Sequence, residues 1–310
     1  MYHIVWHKNP DTDAILSALI AKEYFLAMGE DAEAYRLWEL NKETEYVLSS
    51  IGIEAPKMVS TLPAGSEVVL VDHNAKNQSI DWLENLKVKC IIDHHSVESL
   101  ATSEPIQLRF DAVCSTCSIL FLMFAEQDLE IPDHVAKMIL AGILSDSLAF
   151  RSPTTTNEDR EIAEYLAEDL WISDIQAFAK AMFDAKSDLG DISVRKILEL
   201  DYKVFTFGEN KKYWYGVMET TSPDFALSRK NDIITDMRVL KEETWLHAIF
   251  FSVVDIFAEK NITFVVSDLE KEALKASFGA DTENSMADLG GRLSRKKELE
   301  PALRVYFEKN

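Results

Sequence analysis

Residues 67–74 read EVVLVDHN and residues 89–95 read KCIIDHH. Each is a short aliphatic run that stops at an aspartate followed by histidine. An unbroken apolar run of this length, bounded by polar residues, is the pattern of a strand buried on both faces, as in a parallel sheet. Moving outward, YHIVW (2–6) is a third such run and ends in HKNPDTD (7–13). AILSALIAKEYFLAMG (14–29) has the length and composition of a helix; SILFLMFAEQ (118–127) and HVAKMILAGILSDSLAF (134–150) read as long buried helices. This alternation predicts an α/β domain, a parallel sheet with helices on both faces. In such sheets ligands bind at the carboxyl ends of the strands. Three polar clusters fall there: His7 to Asp13, Asp72 to Asn74, and Asp93 to His95.

The character changes near residue 187. AKSDLGDIS (185–193) is small and polar and reads as a linker. Beyond it DYKVFTF, KKYWYGVMET, AIFFSVVDIF and NITFVVSD are strand candidates with helical stretches between and after them. The expected organisation is a metal-binding domain over 1–187, a linker over 188–194 and a smaller C-terminal α+β domain over 195–310.

The 310 residues carry a formal net charge of −21. That argues against a general nucleic-acid or anionic-membrane binder, which needs a broad positive surface. The acidity is unevenly shared. Residues 1–194 hold 14 Lys/Arg against 33 Asp/Glu, a net of −19; residues 195–310 hold 18 against 20, a net of −2. The second part contains RLSRKK (292–297), four basic residues in six. There is no signal-peptide pattern and no uninterrupted apolar run of membrane-spanning length. The three cysteines (Cys90, Cys114, Cys117) are too sparse for a disulfide framework, and cytoplasmic localisation is expected.

His7, Asp11 and Asp13 place an imidazole and two carboxylates on one strand-to-helix loop. Asp11 and Asp13 have a second reading as helix-capping groups. Asp72, at the end of a buried strand, has the chemistry of a bridging ligand. His94 and His95 follow another buried strand, where histidine is seldom a simple core residue. Asp146 ends an apolar helix, where an uncompensated carboxylate is costly. Together these are nitrogen and oxygen ligands with no thiolate, which suits Mn²⁺, Co²⁺, Fe²⁺ or Mg²⁺ rather than a structural zinc cage. Two ions sharing a carboxylate would activate water and polarise phosphoryl oxygens, so phosphoric ester or anhydride hydrolysis is the expected reaction class.

HKNPDTD, VDHN, IDHH, SDSLAFRSPT (145–154) and SRKK (294–297), in this order, resemble the family II inorganic pyrophosphatases, the manganese-dependent type within the DHH phosphoesterase superfamily. The resemblance spans the chain. It implies that pyrophosphate is hydrolysed to two phosphates by a metal-bridged hydroxide, at a two-metal site between the domains. It implies that His7, Asp11 and Asp72 hold one ion and that Asp13, Asp72, His94 and Asp146 hold the other, Mn²⁺ or Co²⁺, with Mg²⁺ arriving on the substrate. Asp72 and His95 would be catalytic, His95 facing the substrate. Lys203, Arg295 and Lys296 would bind pyrophosphate. The resemblance also implies a homodimer through the N-terminal domain, with no nucleic-acid or membrane partner. The nearest alternative is a short-chain exopolyphosphatase or DHH-type phosphodiesterase. A non-catalytic metal or phosphate sensor is disfavoured, because every ligand and SRKK are intact. Trp6 stands where the family has glycine, and Arg151 where lysine is common. Arg151 reads as either substrate-proximal or structural. Cys114 and Cys117 form a C-x-x-C without a thioredoxin-like context. His73 is expected to orient rather than ligate.

Overall fold

The computed structural model describes residues 1–8, 10–97, 102, 104–207 and 211–309. The chain divides into two compact units, Met1–Ala185 and Lys186–Asn310. The first contains, in chain order, β1 (Tyr2–Val5), α1 (Thr12–Ala27), β2 (Ala32–Arg36), α2 (Lys42–Ile51), β3 (Lys57–Met58), β4 (Glu67–Val71), β5 (Lys87–Asp93), β6 (Gln107–Phe110), α3 (Thr116–Glu126), α4 (Asp133–Asp146), α5 (Asn157–Asp169) and α6 (Ile175–Ser187). The six strands form one sheet in the order β3-β2-β1-β4-β5-β6, and every pairing is parallel.

Strand order and burial explain the apolar runs. β1, β4 and β5 are adjacent and central, and Ile4, Val5, Val68 to Val71, Ile91 and Ile92 are fully buried. One face of the sheet packs on α1 and α3, with α4 behind them. On the other face Val5, Val68, Leu70 and Ile91 pack against Ile80 and Leu83, from a segment containing two single 3₁₀ turns (76–78 and 83–85). The central position of these three strands brings their carboxyl ends, and the polar residues that follow, to one edge of the unit.

The predicted helix 134–150 is shorter in the structure. α4 ends at Asp146, and Leu148, Ala149 and Phe150 take successive left-handed conformations, with φ of 51°, 51° and 69°. Such conformations cost about 1 kcal/mol or more per residue with a Cβ. This turn is closed by hydrogen bonds from Ala149 N to Leu144 O (2.9 Å), Ser152 N to Ser147 O (2.8 Å) and Phe150 N to Ser147 Oγ (3.1 Å). Arg151 braces it by donating from Nη1 to Ala149 O (3.0 Å) and to Gln176 Oε1 (2.9 Å), a structural role. Trp6 is fully buried, and its indole fills part of the core beside the end of β1.

The last turn of α6 carries the unit boundary, and residues 188–193 are irregular. The second unit continues with α7 (Val194–Leu198), β7 (Tyr202–Phe207), β8 (Lys211–Thr220), α8 (Asp224–Leu227), α9 (Lys230–Glu243), β9 (Ala248–Asp255), β10 (Lys260–Phe264), α10 (Asp268–Phe278), β11 (Thr282–Glu283), β12 (Met286–Asp288) and α11 (Glu300–Lys309). Its six-stranded sheet is mixed, β11-β12-β10-β9-β8-β7, and only β8 and β9 run parallel. α7 and α9 contribute to the core on one face, where Ile197, Ile233 and Met237 meet Ile249 and Phe251. α10 and α11 contribute to the other, where Leu274, Leu303 and Phe307 meet Tyr213, Tyr215 and Phe250. No helix among the described residues is long and apolar enough to cross a membrane.

Candidate metal centre

Each candidate ligand sits at an element boundary. His7 follows β1. Asp11 is the N-cap of α1, its Oδ1 accepting from Ala14 N at 3.0 Å, and Asp13 lies in that helix's first turn. Asp72 follows β4 in a left-handed conformation (φ 60°), with its N–H donated to Ile92 O across the sheet at 2.9 Å. His94 and His95 follow β5, and Asp146 is the last residue of α4. The structure brings these seven residues together in three overlapping groups: His7, Asp11 and Asp72; Asp13, His94 and Asp146; and Asp72, His94 and His95. Within each group the potential ligand atoms lie within 4.8 Å of one another.

Asp72 joins the groups. Its Oδ2 is 3.3 Å from His7 Nε2, and its Oδ1 is 3.3 Å from His94 Nε2. His94 Nε2 is also 3.5 Å from Asp146 Oδ2. The outward nitrogens of both histidines are fixed from behind. His7 Nδ1 lies 2.8 Å from Lys8 O and His94 Nδ1 lies 3.2 Å from Val113 O. A carbonyl can only accept, so Nδ1 carries the proton in each ring and Nε2 is turned to the cluster. That is the usual outer support of a metal-binding histidine.

Asp13 shows that the capping and ligand readings are compatible. It is fully buried and accepts from Ser115 Oγ (2.5 Å), Thr116 N (2.8 Å) and Cys117 N (3.2 Å), so it caps the start of the neighbouring α3 rather than its own helix. Thr116 Oγ1 donates to Asp72 Oδ1 at 3.0 Å, tying the same helix end to the Asp72 carboxylate. Asp146 has the opposite placement, an acid at the negative end of a helix dipole, which a cation would compensate. The donor set fits a divalent ion: carboxylates and imidazoles converging on shared points, no thiolate, and one buried carboxylate with an oxygen facing each histidine.

The charges follow from this crowding. Burial pushes the Asp72 carboxyl up, but the His7 and His94 imidazoles against it hold it well below the usual carboxylate range. Burial opposes a charged His7, yet the Asp72 hydrogen bond, the Asp11 and Asp72 charges and the Lys8 carbonyl raise its pKa to about 9. Desolvation, with Asp72 and Asp11 nearby, raises Asp13 to about 7. Without metal, protons therefore occupy ligand atoms at neutral pH, and an incoming ion must displace them. Metal affinity is expected to rise with pH by about tenfold per unit for each proton displaced. The rise should lessen above pH 7 as Asp13 ionises and level off above about 9. Mn²⁺ titrations of chelator-stripped protein between pH 6 and 10 check this.

Several further residues support the cluster; Asp93 marks a strand end in the sequence, whereas Asp159 and Gly142 carry no such mark. Asp93 is buried and accepts from Asn74 Nδ2 (2.6 Å), His95 N (3.0 Å) and His95 Nδ1 (2.9 Å), so it orients the His95 ring. Asp159 is buried and accepts from Cys114 N (3.0 Å), Ser118 Oγ (2.6 Å) and Thr156 N (2.8 Å), which clamps the starts of α3 and α5 together. Gly142 lets α4 approach α3. A Cβ there would lie 2.3 Å from Cys117 Sγ and 3.0 Å from Asp13 Oδ1. Gly142→Ala is expected to cost ~1–3 kcal/mol by overpacking and to weaken Mn²⁺ uptake by moving Asp13, measured by urea unfolding and metal titration.

His73 belongs to none of the three groups. Burial lowers its pKa to about 4, its Nδ1 lies 2.8 Å from Val71 O, and its ring stands edge-on to His7. Cys114 and Cys117 are buried free thiols. Desolvation and neighbouring acids push both thiols well up, which removes the thiolate that redox chemistry needs.

The substrate candidates lie in the second unit. Lys203 is half-buried on β7, opposite Tyr215 of β8. Arg295 and exposed Lys296 begin a π-helical turn (Arg295–Leu299) that leads into α11. Arg295 is directed onto Asp201: Nη2 donates to Asp201 Oδ1 at 2.8 Å, and Nη1 donates to Asp201 O (3.1 Å) and Tyr215 O (3.2 Å).

The fold and the cluster define a parallel α/β domain with candidate Asp and His ligands at the carboxyl ends of its central strands, and comparison with known proteins gives the class. Residues 2–143 match the DHH family N-terminal domain, and residues 180–306 match the DHHA2 domain. A Deinococcus radiodurans protein named as a probable manganese-dependent inorganic pyrophosphatase is 44% identical over 310 residues, 99% of each chain. A Bacillus licheniformis protein of the same name is 36% identical, covering 97% of this chain and 96% of its own. A solved Methanococcus jannaschii structure assigned to the family II inorganic pyrophosphatases superposes with a TM-score of 0.85 at 34% identity, covering 99% of both chains. The chain belongs to the manganese-dependent, family II inorganic pyrophosphatases.

Proposed function

We propose that this chain hydrolyses inorganic pyrophosphate to two phosphates with divalent metal ions held at the Asp72 cluster. The observation that carries the reading is the placement of Asp72, one buried carboxylate whose two oxygens face His7 and His94 separately. Two ions fit that arrangement, one on His7, Asp11 and Asp72 and one on Asp13, Asp72, His94 and Asp146. Mn²⁺ is the resident metal by similarity to the named relatives, and Co²⁺ accepts the same ligands. Bound there, the ions supply Lewis-acid charge to phosphoryl oxygens and lower the pKa of water.

The remaining work falls to side chains. Four carboxylates (Asp11, Asp13, Asp72, Asp146) balance two divalent ions, so a polyanionic substrate needs further positive charge. Arg295, Lys203 and Lys296 provide it, Arg295 with a fork suited to phosphate. Asp93 holds His95 Nδ1 and thereby leaves Nε2 for a phosphate oxygen. Mg²⁺ accompanies pyrophosphate and shields the leaving phosphate. The protein acts as a cytoplasmic homodimer through its first unit, for which edge strand β6 is available. Its net charge of −21 disfavours nucleic-acid and anionic-membrane partners.

The test is a substrate panel on chelator-stripped protein with Mn²⁺, Co²⁺ or Mg²⁺ added back. Fast phosphate release from pyrophosphate, with tripolyphosphate and a dinucleotide poor, is the expected result. Preference for tripolyphosphate would replace the reading with exopolyphosphatase activity, and preference for the dinucleotide with phosphodiesterase activity.

A further inference from the structure

The segment that carries Arg295 is held rigidly from below. Asn261 on β10 is fully buried; it donates from N to Gly290 O (2.9 Å) and from Nδ2 to Arg292 O (2.7 Å). Asn261 Oδ1 accepts from Thr263 Oγ1 (3.0 Å), whose hydroxyl lies 2.7 Å from Ser252 Oγ, and Ser252 Oγ is 3.0 Å from Tyr215 Oη. This buried chain crosses β10, β9 and β8. Above it, Glu298 Oε2 accepts from Leu293 N and Ser294 N, both at 3.0 Å, and Ser294 Oγ accepts from Lys297 N at 3.2 Å. The backbone around Arg295 is thus determined, and what remains to be set is where its long side chain points.

We propose that Asp201 is the positioning residue for Arg295, presenting one edge of its guanidinium to pyrophosphate. The inference rests on Arg295 being a substrate ligand, as proposed above. Asp201 supplies two of the three acceptors, its carboxylate and its backbone carbonyl, and Tyr215 O supplies the third. Three of five guanidinium N–H groups are engaged. Among the described residues the Nε–H and one Nη2–H meet no acceptor, and these two nitrogens share the edge that binds a phosphate side-on. The Asp201 side chain is 53% exposed and stays ionised while it does this: crowding by protein atoms pushes its carboxyl up, but Arg295, then Lys203 and Lys186, hold it below the usual range. Holding a flexible cation in its bound geometry beforehand lowers the ordering cost of binding.

The test is a kinetic double-mutant cycle on the metal-loaded enzyme, using Asp201→Ala, Asp201→Asn, Arg295→Ala and the Asp201→Ala/Arg295→Ala pair. Loss of a hydrogen bond to a charged group predicts that Asp201→Ala raises KM for pyrophosphate about tenfold, with kcat changed less. Asp201→Asn keeps the Oδ1 acceptor and is expected to recover most of that loss. Once Arg295 is alanine, Asp201→Ala should have no further effect on KM. Mn²⁺ uptake and the urea midpoint, measured alongside, identify any variant that has lost its fold. An equal Asp201→Ala effect in both backgrounds, or a lowered KM, would overturn the proposal. If Arg295→Ala itself leaves KM unchanged, the substrate role of Arg295 fails, separately from the metal cluster, and the role of Asp201 fails with it.

Discussion

Asp72→Ala is expected to lower kcat/KM for pyrophosphate by about 10³-fold or more, since metal-based charge stabilisation is worth several kcal/mol and each 1.36 kcal/mol is a decade in rate. The size of the effect follows from the position of the side chain. Asp72 is 1% exposed, so no water-borne carboxylate replaces it. Each oxygen faces a different histidine, so one truncation damages two groups of ligands at once. It also removes the acceptor for Thr116 Oγ1 at the start of α3. Loss of a surface carboxylate would leave metal uptake unchanged, whereas Asp72→Ala should show weaker and fewer bound Mn²⁺ ions. Full metal stoichiometry with abolished turnover would assign Asp72 to another step.

Arg295→Ala has the second largest expected effect, a rise in KM of about 10²-fold, the usual consequence of removing a charged, bidentate phosphate contact. The metal cluster should be untouched, because every ligand in it comes from the first unit while Arg295 belongs to the second. Steady-state kinetics and Mn²⁺ titration on the same preparation separate the two properties. Arg295→Lys keeps the charge but not the fork and should recover only part of the loss. Loss of bound metal in Arg295→Ala would contradict the division of labour between the units.

What could be read beforehand depended on how strongly burial marks a residue. β1, β4 and β5 are central in a parallel sheet, so both faces are apolar and their runs stand out, as does the aspartate or histidine that ends each one. β2 (AEAYR), β3 (KM) and β6 (QLRF) lie nearer or at the sheet edges, are short and mixed in polarity, and carry no such mark. In the second unit β7 to β10 were legible from β-branched and aromatic content, whereas the short β11 (TE) and β12 (MAD) were not; nor was the parallel pairing of β8 and β9, since pairing direction depends on the path of α8 and α9 between them.

The candidate ligands were legible as residue types at strand ends. Their supports were not. Gly142 is an unremarked residue in a helix, and its need for space arises only from Cys117 and Asp13, distant in sequence. Asp13 caps a helix that begins 103 residues later, so local capping rules pointed to the wrong helix. The left-handed turn at Leu148 to Phe150 ends a helix that the apolar run 134–150 predicts to continue, because tertiary hydrogen bonds outweigh local preference there. Asp201 sits beside Lys203 in DYKVF, yet only the fold brings it to Arg295.

The most direct test of the central claim is a Mn²⁺ titration of chelator-stripped protein in which bound ions per chain and phosphate release from pyrophosphate are measured on the same samples. A two-ion centre gives no turnover without metal and a plateau reached as the second ion per chain binds. Full turnover in stripped protein, or a plateau at one ion per chain, would contradict it.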